Sequence, residues 1–226
     1  MDIQLNYTEK GEGEVLILLH GNGEDTNYFE HQLEYFSQFY RVIAVDTRGH
    51  GKSPRGTKPF TIVQFAEDLY DFMVYHGIEK ANILGFSDGG NIALTFAIKH
   101  PDMLKKLILN GANLYPDGVR FEVQIPIIAE YYAAKAAAPF NEKMCKKAEL
   151  YGLMVNEPEF DPVGLRNMNV PTLVIAGEND MIRTSHTKMI SRYLPDAQLA
   201  IIEGDHFIAN KNHEKFNSVV HGFLAE

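Results

Sequence analysis

The sequence predicts an α/β protein in which a mostly parallel sheet carries helices on both faces. Short unbroken apolar runs recur along the chain, segments of helical period separate them, and glycines bound several of the runs. A strand buried on both faces reads as continuous rather than alternating apolar sequence, and a parallel neighbour needs a crossover between strands, usually a helix. The chain of 226 residues, 45% of them apolar, is long enough to bury roughly 70% of the surface its unfolded form exposes.

Val15-Leu16-Ile17-Leu18-Leu19, between Gly13 and Gly21, is the first such run, and Arg41-Val42-Ile43-Ala44-Val45 the second. Thr61-Ile62-Val63-Gln64 offers a capping box, and Phe65, Leu69, Phe72 and Met73 follow at helical spacing as a crossover helix. Ala81-Asn82-Ile83-Leu84 is the third strand, followed by a helix over Asn91 to His100 with Ile92, Ala93, Phe96 and Ala97 on one face. Leu107-Ile108-Leu109, Thr172 to Ala176 and Leu199 to Ile202 complete the strands. The interval 112–168 breaks the rhythm and holds no strand-like run, so a single domain over 1–226 with a short helical cap at 112–168 is expected. Within it, Ile127 to Ala138 reads as one helix stopped by Pro139, and Asn141 caps a second that runs to about Val155.

Composition excludes several classes of function. With 21 basic and 30 acidic side chains the net charge is −9, and no cluster of Lys and Arg is present to neutralise phosphates, so nucleic acid is not an expected partner. Cys145, the lone cysteine, has no internal partner, the chain opens without a charged and apolar leader, and no apolar stretch approaches a membrane span. A soluble, cytoplasmic protein without membrane association is expected, as a monomer or homodimer. The histidines show no metal-ligand spacing, and neither a metal nor an organic cofactor is implied.

The chemistry concentrates after the strands. Gly85-Phe86-Ser87-Asp88-Gly89 lies between a buried strand and an amphipathic helix, where flanking glycines allow a sharp turn that exposes the Ser87 hydroxyl. A Gly-rich structural turn is the plain alternative. Serine needs an imidazole base, and the base a carboxylate to fix its tautomer. His206 follows the last strand and would reach the same sheet edge. His31, His76, His100, His186, His213 and His221 fall in helical segments, as solvated or capping residues, and His20 and His50 in tight turns, bonded to backbone. Asp180 follows the strand Thr172 to Ala176 and is the expected acid; Glu178 in the same loop is the lesser candidate, and Asn110-Gly111-Ala112-Asn113 offers no carboxylate. For an oxyanion, His20-Gly21-Asn22-Gly23 would supply the Asn22 N–H and the helix start the Asp88 N–H, although the loop also reads as a plain turn.

These residues resemble the α/β-hydrolase fold over nearly the whole chain: His20 to Gly23, Asp46-Thr47-Arg48-Gly49-His50-Gly51-Lys52-Ser53, Gly85 to Gly89, Pro171 to Asp180 and Gly204-Asp205-His206 occur in that family's order. The resemblance implies that Asp46 to Ser53 is structural. The elbow is similar to that of the biphenyl-hydrolase-like and valacyclovir-hydrolase branch, where the Asp after the nucleophile binds the amino group of α-amino-acid esters; Asp88 takes that position, and capping of its own helix is the equal alternative. Relative to larger members the chain starts close to the first core strands, implying that one N-terminal edge strand is missing, and its short insertion implies an open pocket. Phe86, Tyr28, Met181 and Phe207, with Phe29, Tyr131 and Tyr132 nearby in sequence, are candidates to line that pocket or to pack the core. The expected activity is hydrolysis of a small carboxylic ester, α-amino-acid esters included. A lactonase or carbon-carbon bond hydrolase with the same triad stands as the alternative, and a ligand-sensing protein with negligible turnover as the non-enzymatic one.

Overall fold

A computed structural model describes residues 2–226. The strands are β1 (Tyr7–Lys10), β2 (Val15–Leu19), β3 (Arg41–Val45), β4 (Ala81–Phe86), β5 (Leu104–Asn110), β6 (Thr172–Gly177) and β7 (Ala197–Ile202). The helices are α1 (Glu30–Phe36), α2 (Ile62–Tyr75), α3 (Asp88–Lys99), α4 (Phe121–Ala137), α5 (Glu142–Asn156), α6 (Thr184–Tyr193), α7 (Ile208–Lys211) and α8 (His213–Ala225). One seven-stranded sheet runs in the order β1-β3-β2-β4-β5-β6-β7, parallel throughout except for β1.

The unbroken apolar runs divide their side chains between two cores, as a period of two requires. Ile17 and Leu19 point, with Ile43, Ile83 and Leu107, into a core covered by α2, α3 and α6. Leu16 and Leu18 point, with Val42, Leu84 and Ile108, into the opposite core, closed by α1, α7 and α8. Both faces of the central strands are thus dry, and the sheet edge where strands end carboxyl-first is left for chemistry.

Several local expectations are corrected. β1 carried no apolar signal because all four residues, Tyr7-Thr8-Glu9-Lys10, are exposed; its ladder to β3 and the ion pair from Arg41 to Glu9 at 2.8 Å hold it. Thr61 caps α2 by accepting the Gln64 N–H, but the Gln64 side chain donates to Asp68 at 3.0 Å instead of closing the box. Asp68 in turn grips the buried Arg48 guanidinium through two hydrogen bonds of 2.6 and 2.7 Å. α4 begins at Phe121, six residues before the expected Ile127, and contains Pro126. That proline and Glu122, four residues before it, are both exposed, so the hydrogen bond that the proline cannot donate is missing on the solvent side of the helix. Asn141 caps α5 as expected, accepting from Lys143 and Met144.

The helical hairpin α4 to α5 lies between β5 and β6 in sequence and is tied to the body at several points. Arg55 holds Glu149, the Glu157 carboxylate accepts the Ile62 N–H at 2.7 Å, and Asn22 donates to the Leu150 carbonyl at 2.7 Å.

Candidate active site

β4 ends at Phe86 and α3 begins at Asp88, leaving Ser87 alone to turn the chain. Its φ of +54° makes it the sole residue other than glycine with positive φ among the described residues, a conformation that costs about 1–3 kcal/mol and persists only where neighbours enforce it. They do so here: the Ser87 N–H donates to the Asn110 carbonyl at 2.8 Å, and the Ser87 carbonyl accepts from Gly90 and Asn91. The flanking glycines are obligatory because backbones meet. A Cβ on Gly85 would lie 2.2 Å from the Gly89 carbonyl oxygen, and one on Gly89 2.1 Å from that of Leu19.

Three side chains from three loops meet at this turn. Ser87 Oγ lies 3.0 Å from His206 Nε2, and His206 Nδ1 lies 2.7 Å from Asp180 Oδ1. Asp180 is 1% exposed, accepts the Ile182 N–H through the same oxygen, and has its carbonyl held by Arg120 Nε at 2.7 Å. With the carboxylate on Nδ1, that nitrogen carries the proton and Nε2 is free to accept from the serine. Gly111, after β5, gives the imidazole its room: at φ +63° its Cβ would sit 2.7 Å from His206 Cε1. Glu178 points to solvent and lies outside this chain of hydrogen bonds, and Asp205 binds the Phe207 N–H and Lys211.

The Asp88 N–H stands at the first position of α3, where no intrahelical acceptor exists, and the Asn22 N–H donates to no group among the described residues. The Asn22 side chain does what the sequence did not suggest. Its amide donates to Asp88 Oδ2 at 2.9 Å as well as to Leu150, so one carboxamide joins the Gly21-Asn22-Gly23 turn, the Ser87 turn and the helical hairpin. Asn91 donates to Asp88 Oδ1 at 3.3 Å, and Asn91 is itself locked to Asn113. Asp88 therefore makes no cap, and α3 has no side-chain cap at all. Burial pushes the Asp88 carboxyl up to about 6 against the pull of the two carboxamides, and Glu157, also raised by burial, adds repulsion.

Glu24 is a further group that sequence reading passed over. Burial lifts it to about 7, its carboxylate accepts the Gly21 N–H at 3.3 Å, and it lies within electrostatic reach of His206. Its position just past the Gly21-Asn22-Gly23 turn was the available signal.

The expected pocket residues separate into two sets. Met181 and Phe207 line a cleft of about 360 Å³ beside His206, with Arg120, Val123 and Asp180. Phe86 is instead buried at 1% exposure, with Tyr28 stacked on it at 4.4 Å and the His206 ring 4.8 Å away. The pair supports the imidazole from the core, and Phe29 is core as well. Among the other histidines, His20 donates to the Gly21 carbonyl and accepts the Thr47 N–H, and His50 donates to the Arg48 carbonyl. His186 is neither solvated nor a cap: it accepts the Leu114 N–H at 2.9 Å, and burial depresses it to about 4. Among the described residues no cluster of His, Cys, Asp and Glu could hold a metal ion, and no helix is long and apolar enough to cross a membrane.

The chain is similar to several known proteins. Over 250 aligned positions the chain is 27% identical to human serine hydrolase BPHL, covering 98% of this chain and 83% of that protein. It is 28% identical to the putative carbamate hydrolase RutD of Caulobacter sp. (strain K31), with coverages of 94% and 91%. The enol-lactonase of Burkholderia xenovorans LB400 superposes with a TM-score of 0.83 at 22% identity, covering 99% of this chain and 97% of that one. A family model described as alpha/beta hydrolase fold matches residues 14–129, just over half of the chain. The chain belongs to the alpha/beta hydrolase fold family.

Proposed function

We propose that the protein is a serine hydrolase of small carboxylic esters, acting through Ser87, His206 and Asp180. The observation that carries this reading is the continuous chain from Ser87 Oγ through the imidazole to a buried carboxylate, with Ser87 held at a strained turn. Ser87 Oγ attacks the ester carbonyl while His206 Nε2 takes its proton, and Asp180 stabilises the imidazolium. The oxyanion accepts from the Asn22 and Asp88 N–H groups, each such donor contributing about 2.7–4 kcal/mol of barrier reduction. As the intermediate collapses, His206 returns the proton to the departing alcohol. Water, deprotonated by His206, then releases the acid from the acyl-enzyme. The steps balance with ester and water alone, so no cofactor takes part.

The proposal extends to α-amino-acid esters, favoured by one observation: Asp88 places a buried carboxylate next to the nucleophile, near the acidic Glu157. A protonated amine would neutralise one of the two charges and relieve their mutual repulsion. A lactone is an internal ester opened by the same steps, and it enters the same test. We place the enzyme in the cytoplasm, in keeping with the free, exposed thiol of Cys145.

Labelling with a fluorophosphonate probe tests the mechanism. Modification of Ser87, lost in Ser87→Ala, is expected; folded protein that stays unlabelled overturns it. A panel of short acyl esters, amino-acid esters, lactones and a carbon-carbon cleavage substrate then ranks the substrate classes, and turnover of the last alone would displace the ester reading.

A further inference from the structure

Helix α4 is apolar on both sides. Its inner side buries Gln124, Ile127 and Ala134 toward α5 and the body. Its outer side carries Phe121 at 75% exposure, Ile125 at 46% and Tyr132 at 60%, and the turn beyond it Phe140 at 90%. The exposed Ala129, Ala133 and Ala136 lie between them on the same face. Large apolar side chains scattered singly over a surface are ordinary, but a stripe along one helix marks an interaction surface.

We propose that the outer face of α4 is a self-association surface, packing antiparallel against α4 of a second copy about a two-fold axis near Ala129. The available area fits. An aromatic side chain offers about 150–250 Å², so Phe121, Tyr132 and Phe140 together present about 350–550 Å² at their exposures. Ile125 and the three alanines bring the stripe toward the roughly 800 Å² per partner of a stable interface. The alanines let two helices approach closely at the middle, while aromatic residues close both ends.

Charge favours a second copy over other occupants. Over 121–150 the four lysines Lys135, Lys143, Lys146 and Lys147 cancel four glutamates, so the hairpin is neutral on a body that carries the whole −9. Two copies meet there with the least repulsion. Glu122, the one charge on the stripe, also lines the cleft beside His206 and would face the small Ala136 of the other copy. An anionic lipid surface is disfavoured by the same residues: an interfacial helix needs a polar face rich in Lys and Arg, whereas α4 has one lysine against Glu122 and Glu130. Pairing would also steady the hairpin whose α5 accepts from Asn22 beside Ser87.

Sedimentation velocity of the full chain from micromolar to submillimolar concentration tests this, on wild type and on the double variant Phe121→Glu/Tyr132→Glu. Wild type is expected at twice the 25.5 kDa chain mass, and the variant as a monomer with unchanged circular dichroism. Should the double variant fail to fold, Phe140→Lys, at the most exposed position, takes its place. In a Cys145→Ser background, Ala129→Cys is expected to form an intermolecular disulfide on mild oxidation and Phe140→Cys is not. A wild type monomeric at all concentrations, a dimer indifferent to these substitutions, or co-sedimentation with phosphatidylglycerol vesicles that the substitutions abolish would each overturn the proposal.

Discussion

Replacing Asp88 by asparagine tests the electrostatics of the site most directly, because shape is kept and charge removed. Burial raises the folded carboxyl from 3.8 to about 6, a difference of about 2 pH units. At about 1.4 kcal/mol per unit, the ionised group then costs the native state about 3 kcal/mol above pH 6. The sign follows from the raised value: between pH 3.8 and about 6 the native state holds a proton that the unfolded state has released, so stability falls as pH rises through that window and is level above it. Asp88→Asn removes this penalty but turns one amide toward Asn22 or Asn91, which already donate there, at a loss of about 1 kcal/mol. The net expectation at pH 7 is a gain of about 1–2 kcal/mol, or roughly 2–8 °C in Tm for a chain of this size. Thermal unfolding followed by circular dichroism should show the gain at pH 7 and its reversal at pH 4. The same variant should lose about 10- to 100-fold in kcat/KM for an α-amino ester relative to its neutral isostere, the value of a hydrogen bond to a charged group. A variant less stable at pH 7 would refute the desolvation argument. Equal losses on both esters would refute the amine-binding role while leaving the stability argument intact.

On the proposed mechanism, Asp180→Asn should lower kcat by about 10⁴-fold through the wrong His206 tautomer, whereas Glu178→Gln at its exposed position should leave it unchanged; steady-state kinetics showing the opposite order would reassign the acid. Gly111→Ala should push the imidazole off its line to Ser87 and cost about 100-fold in kcat, and an unaffected kcat would show that the loop yields instead. Glu24 changes charge near pH 7 within reach of His206, so Glu24→Gln should shift the pH profile of kcat/KM in that region, and an unshifted profile would refute the coupling. Because the Glu24 value is raised on folding, its contribution to stability also declines as pH climbs from about 4.5 to 7, and the Gln variant should lack that slope in urea unfolding.

What the sequence disclosed and withheld follows from the range of the forces involved. The central strands were legible because burial on both faces writes itself as unbroken apolar runs, and the Ser87 turn because a Cβ on either flanking glycine would come within 2.5 Å of backbone. β1 was not, since its stability comes from pairing with β3 rather than from burial. The start of α4 was missed because Pro126 reads as a breaker unless its ring is known to face water. For Phe86, left open between pocket and core, a deciding signal was present: Leu84 and Phe86 share the parity of one strand, so both turn into the core closed by α1 and α8. The contacts of Asn22 with Asp88 and Leu150 span 66 and 128 residues, and no local pattern encodes them.

The same distinction between local and distant causes bears on Asp88. From sequence its place in the first turn of α3 suffices to explain it, since a helix N-terminus favours negative charge whatever lies opposite. In the fold the carboxylate reaches no backbone amide of α3 and takes its two hydrogen bonds from side chains held elsewhere, so the helix contributes through its field alone. Those bonds and the helix field do not offset burial, as the carboxyl still stands at about 6. A serine or alanine at this position would avoid the penalty. On the proposed function, with Glu157 nearby and Asn22 and Asn91 supplying only neutral donors, the protonated amine of an α-amino ester would be the group that offsets the buried charge of Asp88.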